Sequence, residues 1–271
     1  MKKDVFKDKN AIVTGGSSGI GLEFSRQLAE AGCRLCLISI DKDGLEKAQA
    51  EIGESVVGTL CLDLGGDDAV KTVADWCDAN NFDTDILIND AGIFDFKKVN
   101  DLSPQRIDLY INLHVRAVAQ LCRYFGEQMA TRGSGWILNM SSMSCWMPMP
   151  GIALYSSTKA FIRAFSRALN IELNDEGVAV MVACPGGIST SLFGLSPKLR
   201  RLGVRLGVLT TPQRFVKKAL RRLRRRRQQY INGWFNRFSI FAVSSLPRCL
   251  RLYGKRKALD RPKDESSPET K

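Results

Sequence analysis

An alternation of short apolar runs with longer amphipathic runs is the feature that most constrains the fold of this chain. Six runs are apolar at nearly every position, and they comprise residues 11–14, 35–39, 56–62, 86–89, 136–140 and 178–183. The intervening runs 22–30, 44–52, 104–130 and 154–173 have helical periodicity. Strands that are apolar on both faces belong in a sheet covered on both sides. The alternation therefore predicts an α/β fold with a doubly wound parallel sheet, in a single domain.

Composition narrows the classes of function. The 271 residues, 44% of them hydrophobic, are enough for one core. The eight cysteines are scattered and no long apolar leader opens the chain, which favours a reducing, cytoplasmic setting. Cys33 and Cys36 fall in a strand pattern and are interpreted as core residues. Because His114 is the single histidine, a His-rich metal site and a Ser-His-Asp hydrolase are excluded, and no metal is expected.

A glycine-rich turn follows the first predicted strand directly. It reads Gly15-Gly16-Ser17-Ser18-Gly19-Ile20-Gly21 and runs into a helical pattern. Glycines at such a turn let the backbone approach a pyrophosphate, whose charge then sits at the helix N-terminus. The strand before the turn and the helix after it favour a nucleotide site over an ordinary tight turn.

A tyrosine and a lysine are the strongest chemical signal in the chain. Tyr155 and Lys159 are separated by four positions, which places both on one face of a helix, and Ser142 precedes the tyrosine by thirteen. An ammonium beside the phenol lowers its pKa toward the range that a general acid or base needs. Ser142, at the end of the fifth predicted strand, is placed to hydrogen-bond a reacting oxygen.

Taken together, the G-x-x-x-G-x-G turn, Ser142 and Tyr155-x-x-x-Lys159 make the chain resemble the short-chain dehydrogenase/reductase family. The resemblance implies a Rossmann-like fold and hydride transfer between a nicotinamide cofactor and a carbonyl or alcohol carbon. It implies that Tyr155 is the general acid/base, with Asn112, Ser142 and Lys159 as the other catalytic residues, and that a homo-oligomer forms through long helices.

The resemblance also assigns cofactor contacts along the chain. They are Gly15, Ser17, Ser18, Gly19, Ile20, Gly21, Ser39, Asp63, Leu64, Asn89, Ala91, Gly92, Tyr155, Lys159, Pro185, Gly186, Ile188 and Thr190. The family usually has N-N-A-G where this chain has Asn89-Asp90-Ala91-Gly92, so Asp90 departs from the pattern. We expect local strain or a small shift there rather than loss of the site.

The end of the second predicted strand bears on which nicotinamide cofactor binds. Members that prefer NAD(H) usually carry an acid there for the ribose diol, and this chain has Ser39 followed by Ile40. The arginine common in NADPH-preferring members is also missing, while Lys42 is near enough in sequence to meet a 2′-phosphate. We favour NADP(H), with NAD(H) as the alternative.

Apolar residues surround the predicted substrate cleft. In this family the substrate lid covers residues 191–209, which are rich in leucine here, and Met143, Cys145, Trp146, Met147 and Met149 follow the catalytic serine. Methionines and aromatics beside a cleft suit an apolar ligand, although ordinary packing of a lid produces the same composition. A fatty-acyl ketone, a long-chain base precursor or a steroid-like ketone fits, which points to lipid metabolism.

The C-terminal third is strongly basic. Residues 178–259 contain 19 lysines and arginines and no acidic residue, whereas the rest of the chain carries 21 basic and 28 acidic groups. Trp234, Phe235 and Phe238 accompany these charges, which is typical of a segment at an anionic membrane surface. A basic oligomer interface and a solvated face are the alternatives. We therefore divide the chain into a catalytic domain (1–232), a basic apolar extension (233–259) and a disordered tail (260–271).

Two other classes of function stay open on the sequence alone. One is a non-catalytic scaffold that keeps the dinucleotide site and senses redox state, which the intact Ser142, Tyr155 and Lys159 argue against. The other is a nucleic-acid-binding protein on the same fold, for which the run 221–227 is the only support. The leading expectation is a cytoplasmic reductase that is peripheral on a membrane, and nucleic acid is not the expected partner.

Overall fold

In the computed structural model, which describes residues 5–188, 204 and 209–259, one parallel sheet forms the centre of the molecule. Its seven strands run in the order β3-β2-β1-β4-β5-β6-β7. The strands are β1 (Asn10–Thr14), β2 (Arg34–Ser39), β3 (Val56–Cys61), β4 (Ile86–Asn89), β5 (Gly135–Met140), β6 (Val178–Ala183) and β7 (Gln229–Tyr230). All six predicted strands are present, and the doubly wound parallel sheet is confirmed.

The seventh strand is a finding that the sequence did not predict. The last of the six predicted strands is 178–183, yet Gln229 and Tyr230 pair in parallel with Val182 and Ala183 of β6. The strand is only two residues long, and the Tyr230 ring stacks on Phe215 with the centroids 5.2 Å apart. Its register is therefore set by packing rather than by a long apolar pattern.

Nine α-helices of the described ranges surround the sheet or pack against the loops at its carboxyl end. They are α1 (Gly19–Glu30), α2 (Lys42–Ile52), α3 (Ala69–Ala79), α4 (Pro104–Ile111), α5 (Val118–Thr131), α6 (Ala153–Asn174), α7 (Pro212–Arg224), α8 (Trp234–Ser244) and α9 (Arg248–Ala258). Alternate strand residues enter two separate cores, as the period of two in a strand requires. Val13 packs with α1, α2 and α7 on one face, and Ile12 packs with α3, α5 and α6 on the other.

The predicted helix over 104–130 is interrupted. Residues Asn112–Ala117 form a π-helical turn between α4 and α5. A π-turn inserts a wider loop of backbone into a helix, and such turns are frequent at functional sites. Residue periodicity cannot distinguish this turn from a regular helix, because the apolar stripe continues through it.

The two C-terminal helices lie against loops at the carboxyl end of the sheet. Asn236 of α8 is buried, and a Cβ built on Gly186 would lie 2.3 Å from its side-chain amide. A Cβ on Gly151 would lie 3.2 Å from a methyl of Leu259, just after α9. Within the described part of the chain, none of the helices has the length and apolar character needed to cross a membrane.

Candidate active site

The glycine turn lies between β1 and α1 and is held in shape by tight backbone packing. Gly15 and Gly19 have φ values of +70° and +58°, which favour glycine. A Cβ on Gly21 would lie only 2.2 Å from the carbonyl oxygen of Gly15. A side chain at position 21 would therefore collide with the backbone of the turn.

The start of α1 is suited to an anionic ligand. Its N-cap, Ser18, makes no side-chain capping bond to the helix, so the N–H groups of the first turn have no cap from that residue. A Cβ on Gly19 would meet no atom within 4 Å and would project into open space. These features fit the pyrophosphate of a dinucleotide, which takes its hydrogen bonds from such N–H groups.

One cleft brings most of the predicted residues together. The predicted residues that line it are Gly15, Ser18, Gly19, Ile20, Ala91, Gly92, Ser142, Tyr155, Lys159, Pro185, Gly186 and Ile188. Asp90, Ile93, Met140 and Ser141 line it as well and were not predicted to do so. The turn after β1, the end of β4, the end of β5, the start of α6 and the loop after β6 all converge here because parallel strands end at one edge.

Tyr155 and Ser142 form the reactive centre of the cleft. Tyr155 is buried, and the Ser142 hydroxyl hydrogen-bonds its phenol and lowers its pKa. Burial is the larger effect, however, and it raises the pKa of Tyr155 to about 12. The Phe94 ring packs edge-on against the tyrosine, with the centroids 5.0 Å apart. The phenol therefore carries its proton near neutral pH.

Lys159 is buried one turn further along α6. Its Nζ donates a 2.9 Å hydrogen bond to the carbonyl of Met140 and lies 5.8 Å from the centre of the Tyr155 ring. Burial lowers the pKa of Lys159 to about 8, against the opposing effect of Asp90. The sequence leads us to expect a lowered pKa for Tyr155, whereas desolvation of the buried phenol raises it.

Asn112 and His114 lie on the π-turn. Asn112 is half-buried at its start and is not among the residues that line the cleft. His114 is fully buried, and its Nε2 accepts a 3.0 Å hydrogen bond from the backbone N–H of Ile93. Its Nδ1 lies 3.0 Å from the Thr158 hydroxyl, which itself donates to the carbonyl of Tyr155.

These contacts assign the protonation state of His114. Since Nε2 accepts, the proton is on Nδ1 and is donated to Thr158. Burial lowers the pKa of His114 to about 2, so the ring is neutral. The histidine thus ties the loop after β4 to the helix that carries Tyr155. The sequence analysis used His114 only to exclude metal sites and did not predict that it connects the loop after β4 to α6. The one signal for this role in the sequence was its position two residues after Asn112.

Ser39, at the end of β2, makes polar contacts within the protein. The hydroxyls of Ser17 and Ser39 are 2.8 Å apart, and the backbone N–H of Asp41 donates to Ser39 Oγ. The Asp41 carboxylate caps α2 by accepting from Gly44 N–H at 3.0 Å, while Ile40 is exposed. The nearest acid is therefore already engaged by a helix.

Three other predicted cofactor residues have local partners. Asn89 is buried in the sheet, where its amide donates a 2.8 Å hydrogen bond to Asn139 of β5. Asp63 is exposed and accepts from the N–H of Gly65 at 2.8 Å, and Leu64 is buried in the core. Thr190 lies outside the described residues.

Residues 9–198, well over half of the chain, match the family described as short chain dehydrogenase. The chain belongs to the short-chain dehydrogenase family. The matching segment has the site of a dehydrogenase, and a nicotinamide dinucleotide held in this cleft would supply or accept the hydride.

Curated relatives and solved structures resemble this short-chain dehydrogenase over different lengths. The oxidoreductase EphD of Mycobacterium tuberculosis is 32% identical over 190 residues, which are 69% of this chain but 32% of EphD. The very-long-chain 3-oxoacyl-CoA reductase of Homo sapiens is 30% identical over 220 residues, 78% of this chain and 67% of that protein. The short-chain dehydrogenase of Sphingobium yanoikuyae, in complex with NADPH, superposes with a TM-score of 0.74 at 25% identity, covering 96% of this chain and 98% of that one.

Proposed function

We propose that this short-chain dehydrogenase reduces an apolar ketone with NADP(H), and that a fatty-acyl ketone is the substrate class. The observation that carries the proposal is the placing of Ser142, Tyr155 and Lys159 in one cleft with the glycine turn. The same arrangement serves oxidation of the corresponding alcohol in reverse. The protonated phenol favours the direction of reduction, because reduction consumes a proton at the substrate oxygen.

Each residue has a defined part in this reaction. Tyr155 donates its proton to the carbonyl oxygen of the substrate, and the Ser142 hydroxyl hydrogen-bonds the same oxygen. Lys159 stabilises the phenolate that results, since a positive charge one helical turn away favours the ionised form. Asn112 is proposed to help return the proton to Tyr155 from its position at the start of the π-turn.

The surroundings of β2 support NADP(H) over NAD(H). A ribose diol is usually bound by an acid at the end of this strand, and the available acid, Asp41, caps α2 instead. Ser17 and Ser39 offer hydroxyls, and Lys42 is exposed nearby in the chain. The NADPH complex of the Sphingobium yanoikuyae enzyme is consistent with this choice.

An apolar substrate is supported by aromatic side chains on the segments next to Tyr155 and Ser142. Phe94 packs on Tyr155, and Phe96 is exposed beside Gly151. Trp146 lies under the guanidinium of Arg163, 4.4 Å from ring centre to Cζ. The names of two relatives point to apolar ketones: a very-long-chain 3-oxoacyl-CoA reductase of Homo sapiens and a 17-beta-hydroxysteroid dehydrogenase type 3 of Danio rerio. We choose the acyl chain because the reductase has the higher identity, 30% against 28%.

The C-terminal helices support docking on an anionic membrane from the cytoplasmic side. Trp234, Phe238 and Phe241 share one face of α8, and their exposed fractions are 80%, 61% and 70%. Arg237 on α8 and the basic residues that end α9 accompany them. Aromatic rings with cations and no acids are typical of an interfacial helix. We also propose a homo-oligomer and retain the division into residues 1–232 and 233–259.

The decisive experiment for catalysis is the substitution Tyr155→Phe. It removes the proton donor and keeps the ring, so turnover of ketones with NADPH should fall at least about a hundredfold while NADPH binding persists. Retained turnover in the variant would refute the assignment of Tyr155. A panel of 3-keto acyl substrates of increasing chain length, with a steroid ketone for comparison, then defines the substrate class.

Cofactor choice requires a binding measurement of its own. Fluorescence titrations with NADPH and NADH compare the two affinities directly on the unmodified protein. A clear preference for NADH would show that the reading of Ser39 and Asp41 is wrong.

A further inference from the structure

Asp90 is an acidic residue at a place where the cofactor brings negative charge. It follows β4, lines the cleft with Tyr155 and Lys159, and is half-buried. Its backbone is fixed because the N–H groups of Asp90 and Ala91 both donate to the Thr14 hydroxyl, at 3.0 and 3.1 Å. The proposed reaction gives this carboxyl no part.

The Asp90 side chain points at the start of α1. Its Oδ2 would lie 3.0 Å from a Cβ on Gly21, and its carboxyl accepts a hydrogen bond from the Gly21 backbone N–H. Asp90 thus supplies, from another element, the acceptor that the N-cap Ser18 does not provide. The carboxyl and a bound pyrophosphate consequently approach the same helix terminus.

We propose that Asp90 couples dinucleotide binding to the uptake of a proton, so that this carboxyl controls cofactor affinity. The inference rests on the nicotinamide dinucleotide site of the proposed function. A carboxylate and a pyrophosphate at one helix terminus repel each other, whereas a carboxylic acid leaves the attraction of the helix for the phosphates intact. Binding therefore favours the protonated side chain.

The surroundings of Asp90 place its titration in a useful range. Burial raises the pKa of Asp90 to about 7, although the Lys159 ammonium and the Gly21 N–H both lower it. Within the described ranges, the titratable groups facing this part of the cleft are Lys159 and Tyr155 from α6 and the neutral His114 from the π-turn. The glycine turn and the end of β5 contribute backbone groups and hydroxyls.

The sign of the effect follows from linkage. The phosphates of the cofactor raise the pKa of Asp90 further, so at neutral pH the complex holds a proton that the free protein has partly lost. Affinity is then highest below pH 7 and falls as the pH rises through the pKa of the free protein, by at most about tenfold per pH unit.

The test measures the affinity of the full chain for NADH between about pH 6 and about pH 8.5. NADH is the probe because it lacks the 2′-phosphate of NADPH, which titrates in the same range. Calorimetry in buffers of different ionisation enthalpy measures proton uptake in parallel. Asp90→Asn keeps the size and the acceptor for Gly21 but cannot ionise. Asp83→Asn, which removes an exposed carboxylate near Arg132 at the other end of the sheet, is the matched control.

We expect the wild type and Asp83→Asn to bind NADH with proton uptake and with affinity that falls above pH 7. Asp90→Asn should bind several-fold tighter at the alkaline end, with little proton uptake near pH 7. Wild-type binding without proton uptake would overturn the inference. So would an Asn variant with unchanged pH dependence, since Lys159 would then be the group that titrates. Failure of all three proteins to bind either dinucleotide at any pH would instead overturn the proposed function.

Discussion

At the scale of single residues, the glycine turn shows how little room the dinucleotide site has. Gly21→Ala places a methyl group 2.2 Å from the Gly15 carbonyl oxygen, so the turn must shift. We expect a loss of unfolding free energy of about 1–3 kcal/mol and a fall in NADPH affinity of about tenfold or more. Urea denaturation and fluorescence titration measure the two effects.

A second glycine variant tests whether the effect is local to the turn. In Gly254→Ala the new methyl meets no atom within 4 Å, and the site is on helix α9. It should leave NADPH affinity unchanged and should stabilise the helix slightly. Equal behaviour of the two variants would contradict the steric explanation.

Lys159 gives a prediction about pH and stability. Burial lowers its pKa from 10.5 to about 8, so the folded chain loses a proton that the unfolded chain keeps between these values. Below pH 8 both states are protonated and the folded state bears the full cost of the buried ammonium. Stability therefore rises as the pH increases from about 8 toward about 10.5.

The substitution Lys159→Met removes this cost together with the hydrogen bond to Met140. We expect turnover to be lost while the unfolding free energy near pH 7 rises by about 2 kcal/mol, and we expect the gain to disappear above about pH 10. Urea denaturation at both pH values measures it, with Lys71→Met on the exposed face of α3 as the control. A less stable Lys159→Met protein at pH 7 would show that the ammonium is a net stabilising group.

Residue identity and spacing were enough to predict most of the cleft but not its electrostatics. Ser142, Tyr155 and Lys159 were predicted because the end of a strand and a four-residue separation on a helix fix where their side chains lie. The roles of Asp90 and His114 depend on what surrounds them in three dimensions. The raised pKa of the Tyr155 phenol likewise follows from burial, which cannot be deduced from the spacing of residues in the sequence.

At the scale of elements, strands were predicted better than the segments between them. The six strands that are apolar on both faces stand out because the sheet is covered on both sides. The π-turn at Asn112–Ala117 and the two-residue strand β7 were missed, since both depend on tertiary packing rather than on periodicity. The segment where the substrate lid was predicted, 191–209, lies almost entirely outside the described residues.

Asn232, which follows β7, is hydrogen-bonded to the loop after β6 that lines the cleft, and a substitution of its side-chain amide tests this contact. Asn232 Oδ1 accepts from the N–H of Gly186 at 2.7 Å, and its amide donates to the Thr210 hydroxyl at 3.0 Å. Asn232→Ala leaves the buried Gly186 N–H without that acceptor, which costs about 1–3 kcal/mol of unfolding free energy. Because Gly186 lines the cleft, NADPH affinity should fall as well.

A matched variant separates this effect from general loss of an asparagine. Asn174→Ala removes an exposed amide at the end of α6 and should change neither stability nor affinity measurably. Thermal unfolding and NADPH titration compare the two proteins. Unchanged affinity in Asn232→Ala would mean that Gly186 is positioned by other contacts, such as Asn236.

At the scale of the whole molecule, charge and apolar surface coincide at the C-terminal end. The basic third of the chain folds back so that α8 packs on the loop after β6 and Leu259 reaches Gly151. The exposed aromatics are thus on the helix whose buried Asn236 packs against the cleft residue Gly186.

This arrangement predicts binding to anionic vesicles, and the test must spare the cleft. Truncation after Gly233 is unsuitable because it would remove Asn236 from Gly186. We therefore replace the exposed Trp234, Phe238 and Phe241 together by serine. The control is Ile171→Ser, which replaces one exposed apolar residue on α6. Wild type and Ile171→Ser should sediment with vesicles rich in phosphatidylserine, less so at high salt, and the triple variant should stay in solution. Turnover of a short, water-soluble ketone should be the same in all three proteins, since the three aromatics are exposed and are not among the residues that line the cleft. Equal sedimentation of the triple variant and the wild type would show that α8 is not the docking element. Binding of the wild type to duplex DNA in place of vesicles would favour a nucleic-acid partner for the basic surface.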